Sequence, residues 1–411
     1  MSITSKRLFQ GDVVIWIVFF FLCMISLVEV FSAASSLSYK TGNFMAPLFK
    51  QMLFLGIGTG VVWAIHSIPC RYFRLLPVIL YPISVCLLFI VLFMGPSING
   101  SNRWLFGFQP SEVAKGVVVL TVALILAHGQ TENGANPKAM KWILWLAGGV
   151  CALILPENLS TAVLLFATVI LMMFIGRVPM RQMARLLGSL LLIGVVTVSL
   201  VLITPKAVLD KVGFLHRMDT WVERIDAQVK GTSGQTEAEY LREHAQEAHA
   251  NIAIATCNVV GKMPGNSDQR DRLSQAYSDF IYAIIIEELG VEGAIAVVFF
   301  YIVLLFRAGR IASCCERNFP AYLTMGLAIM LVMQAMMNVL VAVGIAPVTG
   351  QPLPLISRGG TSTLINCAYF GMILSVSRYA RKNLGGRQPR LLTTDDDPHA
   401  KEFQRNDGLA K

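Results

Sequence analysis

The residues of this chain whose types and spacing could do chemistry fall in three short polar clusters set between long apolar runs. The first runs from Arg103 and Trp104 to Gln109, Pro110, Ser111, Glu112 and Lys115. Pro110 and Ser111 suit a helix start. Glu112 and Lys115, three residues apart, share one helical face. On this segment alone two readings weigh equally. One is an ordinary ion pair at a helix start with Trp104 as an interfacial belt residue; the other is a cation held ready for an anionic ligand.

The second cluster is Tyr277-Ser278-Asp279-Phe280, which leads into Glu287, Glu288, Leu289 and Gly290. Asp279 sits where a polar loop meets an apolar run. A carboxylate at that depth is partly desolvated, which suits a general base, although Ser278 and Asp279 would equally serve as helix caps. Glu287 and Glu288 follow about 12–14 Å further along a helix, a depth at which carboxylates need partners inside the protein. The third cluster runs from Pro347 to Ser362 and is too rich in Pro and Gly for regular helix. Irregular backbone at membrane depth survives only where protein or a watery cavity surrounds it. Ser357, Arg358, Gly359 and Gly360 then open the next apolar run, and they offer a hydroxyl, a guanidinium and free amides to an anion at a helix N-terminus.

The elements that must position these clusters are membrane helices. Of the 411 residues, 55% are hydrophobic and 14% charged, against about a quarter charged in soluble proteins. Apolar runs lie at about 12–33, 49–68, 75–95, 112–128, 141–155, 159–175, 184–204, 280–306, 321–345 and 361–378. Most approach the ~20 residues that cross a bilayer, and none alternates as a barrel strand would. The expected fold is therefore all-α, a polytopic transmembrane helical bundle of about ten spans. Pro156-Glu157-Asn158 reads as a tight outer loop between the two shortest runs.

Cations set the orientation. Arg71, Arg74, Lys138, Lys141, Arg177, Arg181, Arg185, Arg307, Arg310, Arg317, Arg378, Arg381 and Lys382 fall in alternate short connections. The positive-inside rule then puts both termini in the cytoplasm, and the chain in a cell inner membrane. The formal charge of +9 is explained by this topology and does not call for nucleic acid. Of eight cysteines only Cys257 is expected on the oxidising side, and no His or Cys spacing points to zinc. Lys6 and Arg7 precede a full-length span, so that span is expected to be retained rather than cleaved.

Residues 205–279, between spans seven and eight, form one long extracytoplasmic loop, and loops of that length tend to be functional or disordered. Residues 1–384 make one transmembrane domain, and 385–411 read as a disordered cytoplasmic tail ending in charged residues that include Asp395, Asp396 and Asp397.

At its clusters the chain resembles the SEDS family, the FtsW, RodA and SpoVE type, over most of residues 10–385. The family pattern is Arg-Trp, then Gln-Pro-Ser-Glu-x-x-Lys, Pro-Asp-x-Gly-Thr, His-Thr-Asp-Phe with Glu-Glu-Leu-Gly, and Gly-x-Pro-x-Pro-x-x-Ser-x-Gly-Gly. The chain matches it with Arg103-Trp104, Gln109 to Glu112 with Lys115, and Pro156-Glu157 with Thr161. It continues with Asp279-Phe280, Glu287 to Gly290, and Gly350 to Gly360. Glu157 stands for the usual Asp, Ser160 for Gly, and Tyr277-Ser278 for His-Thr, while Cys257-Asn258 and Lys262-Met263 interrupt a usually Gly-rich stretch.

The resemblance implies a peptidoglycan glycosyltransferase that polymerises lipid II into glycan strands by inverting transfer, releasing undecaprenyl diphosphate. Asp279 occupies the place of the family's proposed catalytic acid. Arg103 and Lys115, with Arg358 behind them, would offset the charge of the leaving diphosphate. Glu112 and Glu157 would orient Lys115 or hold a divalent cation such as Mg or Mn; no metal ligand is assigned. Trp104 and the long loop would support the growing glycan, and Ser357, Gly359 and Gly360 would bind substrate. The sequence of Leu353 to Ser362 and the charged tail lean toward the division-type, FtsW-like branch. The implied partners are a class B penicillin-binding transpeptidase and other divisome proteins. Two rivals stand beside this reading: a lipid II flippase, which would also carry intramembrane carboxylates and a broken helix, and a non-catalytic scaffold that recruits the transpeptidase.

Overall fold

The computed structural model describes residues 10–41, 45–94, 105, 108–131, 134–203, 245–270, 272–273 and 277–386. The helices among them are α1 (Val13–Thr41), α2 (Ala46–Ser67), α3 (Leu76–Met94), α4 (Pro110–His128), α5 (Pro137–Ile154), α6 (Leu159–Ile175) and α7 (Met180–Ile203). After these come α8 (Ala245–Ala255), α9 (Ile281–Ser313), α10 (Asn318–Ala342) and α11 (Gly360–Gly386). A short 3₁₀ turn, Cys70–Arg74, joins α2 to α3. Strands β1 (Gln130–Thr131) and β2 (Gly134–Ala135) form an antiparallel clip between α4 and α5.

The all-α bundle expected from the sequence is what forms. Eight of the described helices are long and apolar enough to cross a membrane; α6, at 17 residues, is shorter. Ten apolar runs were anticipated, and α1 to α7 and α9 to α11 each cover one of them. Proline and asparagine set the boundaries. Pro110 and Pro137 each begin a helix at its first turn, where the missing N–H leaves no bond unmade. Asn158 caps α6 by accepting from the Thr161 amide at 3.1 Å, so Pro156-Glu157-Asn158 is a tight turn as anticipated.

α4 is the axis of the bundle. In its apolar window 78% of the residues are buried, against 6% for α7, so α7 presents nearly all of its surface outward. α3, α6 and α10 pack around α4, α9 packs on α10, and α11 lies along α2. With lipid as the outer solvent, such packing rests on close contact and internal polar bonds rather than on burial from water.

The expected cationic connections gather at one end of the bundle. Arg74 lies over the Phe319 ring, Arg378 donates to the Ser67 carbonyl, and Arg307 bonds Asp12, whose backbone N–H donates to Ser377 Oγ. The polar clusters of interest lie at the other end. The tail from 387 onward, most of the loop (204–244), and Arg103 and Trp104 fall outside the described residues.

Candidate active site

One turn into α4, Lys115 Nζ lies 2.8 Å from Glu112 Oε1 and donates to Gln334 Oε1 of α10 at 3.0 Å. The Lys115 side chain is fully buried and that of Glu112 is 3% exposed. This removes the reading of an ordinary surface ion pair. A pair so deep survives only with further hydrogen bonds, yet Glu112 Oε2 has none among the described residues. Behind the pair, Tyr369 of α11 donates to the Glu112 carbonyl at 2.9 Å. Its ring fills the space over Gly116, where any Cβ would overlap it.

α10 carries the link onward. Gln334 Nε2 donates to the Pro352 carbonyl at 2.9 Å. Asn338, one turn later on the same face, donates from Nδ2 to the carbonyls of Gln351 at 2.8 Å and of Asp279 at 3.0 Å. A single face of α10 thus connects the ammonium of Lys115 to the backbone of Asp279. Gln351 reaches α6 as well, donating to Thr161 Oγ1 at 2.7 Å.

Asp279 does not cap α9, and neither does Ser278: the N-cap residue is Phe280. Ser278 Oγ donates to Asp279 Oδ1 at 3.1 Å, and Oδ2 faces Gly350, where a Cβ would stand 3.8 Å away. Gly350 has φ +67°, a conformation that glycine adopts without strain, and this lets the proline-rich segment curl against the carboxylate. Asp279 is half-buried, so it is both partly desolvated and reachable.

The segment from Gln351 to Ser357 is almost wholly buried, the irregular backbone inside protein that was anticipated. Ser357 Oγ donates to the Ser278 carbonyl and accepts from the Leu353 amide, both at 2.8 Å, so this hydroxyl clips the loop to the strand of chain before Asp279. The Arg358 amide donates to the Tyr277 carbonyl at 3.1 Å, and its guanidinium lies 5.5 Å over the Tyr277 ring. Gly359 and Gly360 lead into α11, with Ser362 N–H bonding back to the Gly359 carbonyl. Glu157 lines a crevice of about 20 Å³ shared with Pro110, Ser111 and Asn158, beside the start of α4.

The structure therefore brings Glu112, Lys115, Asp279, Ser357 and Arg358 into one connected network and puts Glu157 on its flank. Sequence reasoning missed Gln334, Asn338, Gln351 and Tyr369. Two amides four residues apart in the otherwise apolar α10 were the available signal, because polar side chains inside a span are retained for a contact.

Among the described residues, four acceptors of this region are buried without a hydrogen-bond partner: Glu112 Oε2, Asn338 Oδ1, Gln351 Oε1 and Thr349 Oγ1. Leaving such atoms unpaired costs about 1–3 kcal/mol each, so their grouping marks a place suited to donors from outside the described residues. Among the described residues no group of three or more His, Cys, Asp or Glu could hold a metal by itself. A hard cation there would depend on one or two carboxylates plus oxygens brought by a ligand, as Mg²⁺ does with phosphates. On an adjoining face of α4, an apolar cavity of about 430 Å³ lies between α2, α3, α4 and α11. Its wall includes Leu76, Val113, Gly116, Val117 and Tyr369, within one turn of Glu112 and Lys115.

Comparison with known proteins adds to this geometry. The family described as "Cell cycle protein", that of FtsW, RodA and SpoVE, matches residues 12–382. A protein of Saccharophagus degradans named probable peptidoglycan glycosyltransferase FtsW is 32% identical over 382 residues, covering 89% of this chain and 92% of that protein. A protein of Coxiella burnetii with the same name is 28% identical over 380 residues, covering 88% and 95%. Among solved structures, a chain of a peptidoglycan synthase complex that coordinates polymerisation and crosslinking superposes with TM-score 0.70 at 24% identity, covering 90% of this chain and 98% of its own. The rod shape determining protein RodA of Thermus thermophilus gives TM-score 0.61 at 24% identity, covering 90% and 97%. These likenesses carry the fold.

Proposed function

We propose, for a chain that belongs to the cell cycle protein family of FtsW, RodA and SpoVE, that it is a peptidoglycan glycosyltransferase polymerising lipid II into glycan strands for cell division. The observation that carries this reading is the single face of α10 that links a fully buried lysine, Lys115, to the half-buried carboxylate residue Asp279 through Gln334 and Asn338. A base for a sugar hydroxyl and a cation for a leaving diphosphate are the two groups the transfer needs, and they stand on one rigid frame.

In the proposed step, Asp279 takes the proton of the acceptor hydroxyl as that oxygen attacks the anomeric carbon of the donor sugar. The new carbon–oxygen bond forms as the bond to the diphosphate breaks on the opposite side, which inverts the centre. The electron pair leaves on the diphosphate oxygen. Lys115 meets that developing charge at a site already desolvated, where a fixed cation acts most strongly. Glu112 holds the ammonium in place, and Arg358, with Arg103 from outside the described residues, adds positive charge. A divalent ion bound with the diphosphate would add further neutralisation. The unpartnered acceptors of Asn338, Gln351 and Thr349 are suited to sugar hydroxyls, and the apolar cavity beside Gly116 to the first units of the polyprenyl tail. By the distribution of cations, this end of the bundle is the extracytoplasmic side of an inner membrane, with both termini in the cytoplasm. A class B transpeptidase is the proposed partner for crosslinking.

Purified protein supplied with lipid II tests the reading. Glycan polymer should form, and Asp279→Ala should lower the rate by about 10²–10⁴, the usual contribution of a general base, while the variant keeps its thermal transition. Lipid II translocated across a vesicle without polymer would replace this reading with that of a flippase. Polymerisation unchanged in Asp279→Ala would remove Asp279 from the chemistry.

A further inference from the structure

α9 is not continuous. Gly290, at φ 70° and ψ −172°, breaks it into a short half-helix, 281–289, and a long second part. Asp279 stands two residues before the half-helix, so the direction of that half-helix sets the position of the carboxylate. A break of this kind frees backbone groups that lipid cannot satisfy. Here the polar segment 257–270 folds in and satisfies them. Lys262 N–H donates to the Glu287 carbonyl and Met263 N–H to the Glu288 carbonyl, both at 2.9 Å. The approach is close enough that a Cβ at Gly290 would overlap the Val259 carbonyl oxygen.

Side chains complete the join. Glu287 accepts from Lys262 Nζ at 2.9 Å, Ser267 Oγ at 2.5 Å and the Asp268 amide at 3.1 Å. Glu288 accepts from Ser32 Oγ of α1 and pairs with Arg270, whose Nη1 is 3.6 Å away and donates to the same Ser32 oxygen at 2.8 Å. Glu287, Glu288, Ser32, Ser267 and Arg270 are all more than nine-tenths buried. Two charges of opposite sign, taken out of solvent, thus tie three separate pieces of chain together at the far end of the half-helix that begins beside Asp279.

We infer that Arg270 and Glu288 are positioning residues: they clasp the half-helix to α1 and to the loop, and so fix where Asp279 stands relative to the face of α10. They touch neither substrate nor reacting atoms. The near end of the half-helix is already held by Asn338, Ser357 and Arg358, through the carbonyls of residues 277–279. With both ends fixed, a segment of about 13 Å behaves as a rigid lever. With the clasp open, the far end keeps its bonds to the segment 257–270 but loses its tie to α1. The inference rests on the glycosyltransferase reading for its kinetic arm alone.

The test uses the full chain in lipid vesicles, as wild type, Glu288→Gln, Arg270→Gln and the double variant. Each is measured for polymerisation of lipid II and for amide hydrogen exchange in peptides covering 277–290. Opening the clasp should lower kcat about tenfold with KM for lipid II within twofold, because Lys115 and Glu112 are untouched. Exchange across 281–289 should quicken by at least tenfold, and the double variant should be no worse than the worse single one. Ser32→Ala, which removes the hydrogen bonds to Glu288 and from Arg270 but no charge, should show the same pattern at about threefold and keeps the test alive if the charge variants fail to fold. Normal kcat in all variants, a rise in KM instead of a fall in kcat, or slow exchange retained in 281–289 would each overturn the inference. Wild-type protein that makes no polymer would overturn the glycosyltransferase reading instead, and the exchange result would still decide whether the clasp holds the half-helix.

Discussion

Glu112 and Glu287 are both buried carboxylates paired with a lysine at almost the same distance, 2.8 Å and 2.9 Å, yet their surroundings differ. Glu287 has both oxygens filled by Lys262, Ser267 and the Asp268 amide. Among the described residues, Glu112 has one oxygen on Lys115 and the other without a partner, with three more unfilled acceptors nearby on Asn338, Gln351 and Thr349. A saturated carboxylate holds structure together; it has nothing left to offer a ligand. An unsaturated one, set among other unsatisfied acceptors, is tolerated because something else completes it. Ion-pair distance does not separate the two sites. Counting the bonds that remain unmade does.

The largest expected effect comes from breaking the unsaturated pair. Lys115→Met should lower polymerisation by about 10²–10³, the scale for losing one preorganised group at a developing charge. It should also destabilise the protein by about 3–5 kcal/mol, because Glu112 is left buried and uncompensated. The double variant Lys115→Met with Glu112→Gln should recover most of the stability and none of the rate. Thermal unfolding in detergent and the polymerisation assay measured side by side separate the two effects. If the double variant recovers activity as well, Lys115 is structural and the contrast with Glu287 disappears.

A smaller effect is expected at the saturated pair. Lys262 sits at its outer edge, bonded to Asp268 at 2.7 Å and to Glu287. Those two partners, Asp268 first, hold the Lys262 ammonium above its ordinary value of 10.5, and Lys262 holds the Asp268 carboxyl below its ordinary 3.8. For the lysine, the raised value means that its contribution is complete below pH 10.5 and disappears only as pH rises through the folded value. For Asp268 the sign reverses: its contribution is complete above pH 3.8 and lost as pH falls through the still lower folded value. Lys262 and Asp268 should therefore add no pH dependence to the local stability read by amide exchange in 281–289 between about pH 5 and 9. Lys262→Met should quicken that exchange severalfold at every pH in the window. A titration step inside the window would show that another group controls this join.

Much of the unsaturated site could be read from sequence, and the saturated one could not; the reason lies in chain separation. Glu112 and Lys115 are one helical turn apart, Pro110 marks the start of their helix, and Asp279 sits at the junction of a polar loop and an apolar run. Local rules reach all of these. Glu287, by contrast, draws its partners from 19 to 25 residues away, and in the clasp beside it Arg270 and Ser32 are 238 residues apart and Ser32 and Glu288 256 apart. No periodicity or capping rule joins them. The break at Gly290 was hidden as well, because Leu289-Gly290-Val291 lies inside one continuous apolar run, and a glycine there reads as an ordinary small residue. Gln334 and Asn338 stand between these cases: their spacing puts them on one face, but only the fold shows that the face looks toward Asp279.

The smallest expected effect tests the edge of the comparison, at Glu29. It lies one turn before Ser32 on α1, is fully buried, and has no hydrogen-bond partner on either oxygen among the described residues. By the rule drawn from Glu112, an unsatisfied buried carboxylate would signal a ligand. Here the surroundings differ: the unfilled atoms are carboxylate oxygens alone, with Arg270 already committed to Glu288 and Ser32. Glu29 is then a buried neighbour of the clasp rather than a binding group. Glu29→Gln should leave polymerisation within twofold of wild type and raise stability by about 1 kcal/mol, since a neutral amide costs less to bury than an unpartnered carboxylate. The thermal transition in detergent, measured with lipid II turnover, checks this. Polymerisation lost with the transition unchanged would make Glu29 a functional carboxylate and extend the unsaturated class to α1.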